Sequence, residues 1–493
     1  MQSSSFLHAL KWSTAGELAS RVLQPVVFII LAKLLTPEDY GVMAAAVMII
    51  SFTNVFWEAG MGKALIQRQT HFHEASTAAF WINVAMSVFF IGLLLVFANS
   101  IAIKLFHDAR VSDVIRVMTI QIILGALASV PTAILQKQMK FRSLFWVRIL
   151  TVTIPALFSI PLALAGWSYW AIVAGTLFGQ LAQVLILTII CKWKPSFSFN
   201  KIIARELIQF GLWVSITGLL VWFFLWADSL VVGAYLGTHD LGLFRTANTF
   251  VLMLFDVLFS PLLPVLYSYF SGMQHDREKI KQACMKIVKG IAIISIPLSF
   301  LLFALAEPFS QLFFGDKWKG IGYIISLLGI MRGYGWLVGI NGEIYRALGR
   351  PQYETFIYAF SCIFFLAGYI ISIQYGFREF IITRLSLGMA SLIPHFYLFR
   401  KIVHISLKPV FRTIAITTMV GMLPLLWSYS FQSEEPLLRL FFIAVTSILS
   451  MGISIFFLER KFVTGFIKDL LYRQKSKMTI EPAFDNKSNT MNS

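Results

Sequence analysis

The stretch LAKLLTPEDYGVMAAA, residues 31–46, recurs in similar form as VGAYLGTHDLGLFRTA, residues 232–247. Aligned without gaps, Asp39 meets Asp240 and Gly41 meets Gly242. Two further pairs follow in the same order: ANSIAIKLFHDA from residue 98 with AEPFSQLFFGDK from residue 306, and TAILQKQMKFR from residue 132 with GEIYRALGRPQ from residue 342. The offset grows slowly along the chain, as small insertions would produce. Three matches in the same order indicate an internal duplication.

The composition is that of a polytopic membrane protein. Of the 493 residues, 58% are hydrophobic and 13% are charged, and the mean hydropathy is +0.76. A soluble domain typically carries about 25% charged residues, and the 46 phenylalanines are too many for one soluble core. The formal net charge of +17 is therefore interpreted by its position relative to the bilayer, and it does not imply nucleic acid.

A helix needs ~20 mostly apolar residues to cross the hydrocarbon layer, and about fourteen segments meet this condition. The predicted spans, numbered 1 to 14 in chain order, are 13–35, 40–60, 77–98, 114–135, 144–165, 168–190, 206–227, 244–267, 286–306, 321–344, 355–375, 380–399, 410–429 and 437–458. Span 1 is expected to be retained, because no small-residue cleavage site follows it. Prolines predict kinks at six positions: Pro155, Pro161, Pro261, Pro264, Pro297 and Pro394.

Basic residues alternate between the loops. With a cytoplasmic N-terminus, the inner loops carry Lys and Arg in an excess of roughly three to one over the outer loops. A missed span would invert this bias, so the sequence predicts an even number of spans with both termini cytoplasmic. The anionic lipids of the inner leaflet are then the partner of much of the positive charge.

The duplication pairs span 1 with span 7, a displacement of six spans, so both halves start on the same side of the membrane. Parallel repeats of this kind are typical of transporters that work by alternating access. The predicted fold is all-α, with two six-helix parallel-repeat lobes around a central cavity and two extra C-terminal helices. The predicted domains are an N-terminal lobe (1–200), a C-terminal lobe (201–400), helices 13 and 14 (401–458), and a cytoplasmic amphipathic segment with a disordered tail (459–493).

Several loop and helix-end sequences resemble one known family. They are LAKLLTPEDYG, ALIQRQ, LQKQMKFR, LFRTANTF, AEPFSQLFFGDKW and ALGRPQYE, in this order from residue 31 to residue 354. Together they resemble the Wzx-type polysaccharide transporter family of the MOP flippase superfamily, especially the branch that includes the colanic acid exporter. The resemblance implies twelve to fourteen helices in two lobes. It also implies a cargo, an undecaprenyl-pyrophosphate-linked oligosaccharide, that moves from the inner to the outer leaflet of the bacterial inner membrane.

A pyrophosphate cannot cross bare hydrocarbon, because a buried charge costs several kcal/mol or more, so a cavity for such a cargo needs cations and polar groups. Span 1 carries Thr14, Glu17, Arg21 and Gln24 on one helical face. We expect this stripe to face the cavity, with Arg21 available to an anionic headgroup and Glu17 holding it one turn away. The alternative is that Glu17 and Arg21 extend to water at the cytoplasmic end of the span.

Four more charges inside spans are candidate cavity residues: Asp228, Asp256, Arg332 and Glu343. Asp228 is a gate or cation site, or else an interface residue. Asp256 is mid-span, where acids usually face a cavity, and is a candidate proton or sodium site, or else a packing contact. Arg332 is a phosphate contact or a structural partner of an acid, in a glycine-rich helix that contains Glu343. Arg148 and Arg384 lie near span ends and are expected to extend to the interface.

No motif for nucleotide binding or hydrolytic chemistry occurs, so no cofactor is expected, and an H⁺ or Na⁺ gradient is the candidate energy source. HFHE at residue 71 lacks further metal ligands, and Cys191, Cys284 and Cys362 match no metal or disulfide spacing. Three alternatives to a flippase remain: a drug/cation antiporter of the same fold, a membrane-bound polymerase or ligase, and a passive partner in an export complex. A polysaccharide polymerase and export machinery are expected partners of a flippase.

Overall fold

The computed structural model of the chain describes residues 20, 23–57, 60–68, 70–197, 200–274, 276–350, 352–460 and 464. Every regular element in these ranges is helical. The N-terminal half contains α1 Leu23–Leu34, α2 Pro37–Trp57, α3 Met61–Gln67, α4 Phe72–Leu105, α5 Arg110–Lys137, α6 Phe141–Leu164 and α7 Tyr169–Cys191. We call these seven helices the N-lobe.

The next nine helices form the C-lobe: α8 Lys201–Leu236, α9 Thr238–Phe259, α10 Leu262–Ser271, α11 Arg277–Phe313, α12 Ile321–Gly339, α13 Asn341–Ala347, α14 Gln352–Ile373, α15 Phe377–Ala390 and α16 Leu392–Val403. A 3₁₀ turn, Asp316–Trp318, lies between α11 and α12. The chain continues with α17 Leu407–Gly421, α18 Leu423–Ser430 and α19 Pro436–Leu458.

Thirteen helical segments of the described chain are long and apolar enough to cross a membrane, and α1 is a shorter apolar helix. The thirteen segments coincide with predicted spans 2 to 14, which are thereby confirmed, and α1 falls in predicted span 1. Large apolar side chains point outward from them, as in Val96 at 73% and Ile189 at 71% exposure. Such outward apolar surface is expected where lipid is the solvent. Most of the predicted C-terminal segment 459–493 lies outside the described residues.

Several helices begin earlier than hydropathy predicts, and two of them, α8 and α11, have a side-chain cap at their first turn. Predicted span 7 starts at residue 206 and span 9 at residue 286, but α8 starts at Lys201 and α11 at Arg277. The side chain of Asn200 caps α8 by accepting from the Ile202 amide at 3.1 Å, and Asp276 caps α11 by accepting from the Lys279 amide at 3.1 Å. Capped first turns extend a helix into water, where a hydrophobicity window does not detect them.

The two lobes repeat the same helix packing. In the N-lobe α5 packs against α2, α4 and α7, and α6 packs against α7. In the C-lobe α12 packs against α9, α11 and α15, and α14 packs against α15. These are the helices that the duplication pairs, so the matched sequence produces matched bundles. The predicted domain boundaries stay predictions.

The last three helices lie outside the repeat and pack mainly against α11. The Lys289 ammonium in α11 forms an ion pair with Glu459, just after α19, at 2.6 Å. The hydroxyls of Tyr334 in α12 and Thr418 in α17 share a hydrogen bond of 2.6 Å. These contacts attach α17–α19 to one flank of the C-lobe.

The predicted kinks are only partly confirmed. Pro261 lies at the break between α9 and α10, whereas Pro155, Pro161 and Pro297 lie inside continuous helices. Further breaks occur at Ser391, three residues before Pro394, and at Met422, two residues before Pro424, whereas the break at Ile340 has no proline nearby. Neighbouring helices can satisfy the backbone groups that a proline leaves unpaired, which explains why proline alone does not locate the breaks.

At one end of the molecule, contacts join loops that the charge pattern assigns to the outer side. The Tyr169 amide and the Ser168 hydroxyl donate to the Asp39 carboxylate, the amide at 3.2 Å. The Thr238 hydroxyl donates to Asp108 at 2.8 Å. We call this the Pro37 end, after the first residue of α2.

At the other end, contacts join loops that the charge pattern assigns to the inner side. Arg68 forms an ion pair with Glu206 at 2.9 Å, and the Asn200 amide donates to Glu74 at 2.9 Å. We call this the Arg68 end. The predicted alternation of loops between two sides therefore agrees with the packing.

Candidate substrate cavity

A cavity of about 310 Å³ opens between the two lobes. Ser20 and Gln24 contribute to it from the first span, and Arg148 from α6. The C-lobe wall is one face of α9, formed by Thr249, Leu252, Met253, Asp256 and Val257. Asp256 lies about 27 Å along α9 from Thr238, at 1.5 Å rise per residue, so the cavity is displaced from the Pro37 end toward the Arg68 end.

Asp256 in the cavity wall forms an ion pair with Arg332 of α12. The Arg332 Nη2 donates to the Asp256 Oδ1 at 2.6 Å, and about a third of each side chain is exposed. The guanidinium lies 5.2 Å from the ring centre of Trp336, one turn further along α12, which is cation–π distance. Its Nε has no hydrogen-bond partner among the described residues. The guanidinium therefore has donor capacity beyond the bond to Asp256.

The structure places Gln24 on the cavity, as the predicted stripe of span 1 requires. Thr14, Glu17 and Arg21 lie outside the described residues. The role of the stripe in cargo binding stays a prediction.

A second Asp–Arg pair is buried inside the C-lobe. Arg384 of α15 donates to the Asp228 Oδ2 from Nε at 3.0 Å and from Nη2 at 2.6 Å, and the two residues are 8% and 5% exposed. The Ser229 amide donates to the Asp228 Oδ1 at 2.6 Å. The Asn248 Oδ1 lies 3.4 Å from the Arg384 Nη2, and the Phe244 ring centre lies 5.1 Å from the guanidinium carbon.

This burial corrects two predictions. Asp228 is neither an interface residue nor part of the cavity wall, and Arg384 does not extend to the interface. Each oxygen of the Asp228 carboxylate already accepts from at least one protein donor, and a guanidinium supplies the positive charge. A cation site or gate at Asp228 would require Arg384 to leave first.

Arg245 is a further charged residue inside a predicted span, span 8. It lies in α9, with its guanidinium carbon 3.8 Å from the ring centre of Trp226 in α8. The aromatic face supplies a partner that the sequence pattern does not show.

Glu343 belongs to a separate group near the Arg68 end of the C-lobe. It pairs with Arg346 one turn along α13 at 2.8 Å, and Glu354 lies 3.5 Å from the same guanidinium. The partner of Arg332 is Asp256, which is the pairing given above as the alternative to a phosphate contact, and the phosphate contact itself stays a prediction. Glu343, predicted as a cavity residue, is not in the described cavity lining.

Sequence reasoning missed Arg148, which it assigned to the interface. Arg148 lies seven residues after the start of α6 at Phe141 and lines the cavity. Its position inside an otherwise apolar span is a signal for a buried or cavity role, but a distance from the helix end alone does not distinguish that role from exposure.

Within the described chain there is no group of three or more His, Cys, Asp or Glu side chains that could hold a metal ion. The three cysteines are unpaired. His71 of the HFHE segment instead lies 3.1 Å from the Glu74 carboxylate.

Two matched helical lobes around a charged cavity define the class of protein: a multi-pass membrane protein with a transporter fold. The chain belongs to the polysaccharide biosynthesis protein family, whose model matches residues 30–322. The resemblance to a polysaccharide transporter family is confirmed by this match and by the names of the curated relatives.

Curated relatives of the chain are also named for polysaccharide transport or biosynthesis. The chain is 28% identical over 324 residues to the succinoglycan biosynthesis transport protein ExoT of Rhizobium meliloti, covering 65% of each chain. It is 23% identical to the teichuronic acid biosynthesis protein TuaB of Bacillus subtilis, over 69% of this chain and 71% of that protein. It is 21% identical to the lipopolysaccharide biosynthesis protein WzxC of Escherichia coli, over 67% of this chain and 68% of that protein.

Two solved structures show the same fold. The lipid II flippase MurJ in an inward closed conformation matches with a TM-score of 0.72 at 15% identity, over 92% of this chain and 99% of that chain. An inward-facing multidrug resistance MATE family transporter of the MOP superfamily matches with a TM-score of 0.61 at 15% identity, over 78% and 94%.

Proposed function

We propose that this protein moves an undecaprenyl-pyrophosphate-linked oligosaccharide from the inner to the outer leaflet of the bacterial inner membrane by alternating access. The proposal is supported by membership of the polysaccharide biosynthesis family and by the name of the Rhizobium relative, a transport protein for succinoglycan biosynthesis. The prenyl tail can stay in lipid during such a movement, while the sugars and the pyrophosphate need a hydrated path.

The observation that carries the proposal is the Asp256–Arg332 pair at the inter-lobe cavity. Its partial exposure leaves the guanidinium accessible, and guanidinium groups bind phosphate oxygens in a planar, bidentate geometry. Arg332 itself is not in the described lining and reaches the cavity through Asp256, whereas Arg148 places a guanidinium directly in the lining. A pyrophosphate carries more negative charge than one carboxylate, so it competes with Asp256 for Arg332.

The orientation is part of the proposal. With both termini in the cytoplasm, as the loop charges predict, the Pro37 end faces outward and the Arg68 end faces the cytoplasm. The cavity then opens toward the leaflet in which the cargo is loaded. Membrane lipids surround the outward apolar faces, and a polysaccharide polymerase and export machinery would act on the released cargo.

The energy source in this proposal is an H⁺ or Na⁺ gradient, with Asp256 as the candidate site for the ion. The pair supports this assignment, because a carboxylate that loses its guanidinium to a phosphate requires a new counter-charge. The protein is proposed to act as a transporter without covalent chemistry. The alternative of a polymerase or ligase is disfavoured by short loops and by a described cavity lining that contains one carboxylate, Asp256, rather than a pair of catalytic acids.

A drug/cation antiporter is the second candidate function for this fold. An antiporter for cationic drugs would need an acidic and aromatic cavity. The described lining of this cavity contains Arg148 and a single carboxylate, Asp256, which is already paired with Arg332. Two arginines against one carboxylate favour an anionic cargo.

Deletion of the gene in its own organism tests the proposal. The deletion strain is expected to lose surface glycan and to accumulate one lipid-linked oligosaccharide, identified by mass spectrometry, in the inner leaflet. The wild-type gene should restore export, and resistance to cationic drugs should not change. Normal glycan export together with a loss of drug resistance would contradict the proposal and favour the antiporter.

A further inference from the structure

At the Pro37 end, the starts of α2 and α9 touch through backbone rather than through side chains. A Cβ atom added to Gly41 would lie 2.6 Å from the carbonyl carbon of Thr238 and closer still to its oxygen. A Cβ added to Gly242 would lie 2.7 Å from the carbonyl carbon of Pro37 and closer to its oxygen. Gly41 and Gly242 are matched positions of the duplication, and so are Pro37 and Thr238. The contact is therefore reciprocal, as a pseudo-twofold axis requires.

Two loops extend the contact on either side, again as a matched pair. In the N-lobe the loop after α4 places the fully buried ring of Phe106 against α8, where a Cβ at Gly233 would lie 2.9 Å from the Phe106 Cε1. In the C-lobe the turn after α11 places Trp318 against the N-lobe, where its Nε1 donates to the Ala32 carbonyl at 2.8 Å. Each lobe thus covers the other at this end.

A polar bridge lies beside the glycines. The His239 Nδ1 and the Glu38 Oε1 are 2.6 Å apart, and both side chains are partly exposed. Residues 38 and 239 are also matched positions of the duplication, so the bridge spans the same pseudo-twofold axis.

We propose that the Gly41–Gly242 contact is the seal that closes the Pro37 end, and that the missing side chains at these two positions set the balance between the closed and the open state. A side chain can rotate away from an added methyl group, but a backbone carbonyl inside a helix cannot. The steric clash of an added methyl group with the facing carbonyl is relieved only when α2 and α9 separate. These two helices belong to different lobes. The strain therefore opens the cavity at this end.

The seal has a functional consequence that rests on the proposed function. Interdigitated side chains would have to unpack before the lobes could part, whereas two smooth backbone surfaces can separate and close again. If the Pro37 end faces outward, its opening is the step that releases the cargo to the outer leaflet.

Cross-linking measures the seal without any transport assay. The parent protein carries Glu38→Cys and His239→Cys, with Cys191, Cys284 and Cys362 replaced by alanine. In membranes it is treated with a short bis-methanethiosulfonate, which releases sulfinate and joins the two thiols through disulfides that can be reduced. We expect rapid cross-linking in this parent. Gly41→Ala and Gly242→Ala should each lower the initial rate at least ~10-fold, because an overpacked contact shifts a two-state balance by about this factor or more.

Two further variants test whether the fall in cross-linking rate depends on what the added methyl group meets. Gly335→Ala in α12 is the matched control, because an added Cβ there meets no atom within 4 Å, and its rate should equal that of the parent. Gly233→Ala adds a methyl against the Phe106 side chain, which can yield, so a smaller fall of about threefold is expected. If Gly41→Ala and Gly242→Ala do not fold, the cross-linking rate of Gly233→Ala compared with that of Gly335→Ala tests the seal.

Equal rates in Gly41→Ala, Gly233→Ala and Gly335→Ala would overturn the proposal, and so would a parent that does not cross-link. Export in the cross-linked parent tests the release step: loss of export on cross-linking and recovery on reduction support it, and full export by cross-linked protein contradicts it. The proposed function is judged separately by the deletion strain, in which unchanged glycan export would contradict the function and leave the cross-linking result for the seal as it stands.

Discussion

The two Asp–Arg pairs of the C-lobe have the same chemistry and opposite surroundings. Asp228 and Arg384 are almost fully buried and joined by two hydrogen bonds, whereas Asp256 and Arg332 are about one-third exposed at a cavity and joined by one. The buried pair cannot exchange partners without leaving a charge in a medium of low dielectric constant. The cavity pair can exchange its carboxylate for another anion. Burial, rather than residue type, thus separates a structural pair from a candidate binding pair.

The largest expected effect is on the buried pair. Arg384→Ala leaves the Asp228 carboxylate buried without its counter-charge, which should lower the free energy of unfolding by about 3–5 kcal/mol. Thermal unfolding of purified protein in detergent measures the loss. The double variant Asp228→Leu/Arg384→Met should recover much of the stability, because an apolar pair removes both charges together. An unchanged melting temperature in Arg384→Ala would show that the pair does not hold the lobe together.

The Asp256–Arg332 pair should affect glycan export strongly and stability only slightly. Arg332→Ala is expected to reduce glycan export at least ~10-fold, as the loss of one charge-assisted bond to phosphate implies. It should change the free energy of unfolding by no more than about 1 kcal/mol, because a partly exposed ion pair contributes little. Export measured beside thermal stability separates the two effects. A large loss of stability with unchanged specific export would place Arg332 with Arg384 as a structural residue.

A smaller effect is expected for the bridge at the Pro37 end. Glu38→Gln and His239→Gln should each change stability by about 0–1 kcal/mol, since both partners are partly exposed. A double-mutant cycle of thermal stability isolates the interaction between them. The interaction should weaken in high salt. A coupling above about 2 kcal/mol would contradict the assignment of the seal mainly to the glycines.

The smallest effect is a pH dependence at Asp108, between α4 and α5. Burial raises the pKa of this carboxyl, but hydrogen bonds from Arg110 and Thr238 outweigh burial, and its pKa lies below the ordinary value. A depressed pKa in the folded state adds stability above the unfolded-state pKa of about 3.9, and this stability is lost as pH falls through the folded pKa. The stability difference between wild type and Asp108→Asn should therefore be constant near neutral pH, begin to fall at about pH 4 and disappear below the folded-state pKa. A stability difference that grows on acidification would contradict a lowered pKa of Asp108 in the folded state.

Much of the fold could be predicted from the sequence. Hydropathy located thirteen of the spans because the bilayer fixes the length of a crossing helix. The duplication predicted the matched lobes because each helix repeats the contacts of its partner. It also singled out Gly41 and Gly242, although only the structure shows that they touch.

The charged side chains were less predictable. Arg148 and Arg384 lie at similar positions near span ends, yet one lines the cavity and the other is buried against Asp228. The rotation of a helix about its axis decides this difference, and the packing of neighbouring helices sets that rotation. Asp256 could be predicted because it lies deep in its span, where an acid requires a cavity or a partner.

The proposed function depends most on the binding of an anionic lipid headgroup by Arg332, beside the inter-lobe cavity. Native mass spectrometry of purified protein with undecaprenyl diphosphate as the probe measures this binding directly. The matched control is Arg116→Ala, which removes an exposed arginine paired with Asp113 on α5. We expect Arg332→Ala to weaken binding at least ~10-fold, the effect of about 1.4 kcal/mol, whereas Arg116→Ala should bind as wild type does. Equal binding by wild type and Arg332→Ala would contradict the assignment of Arg332 to the headgroup.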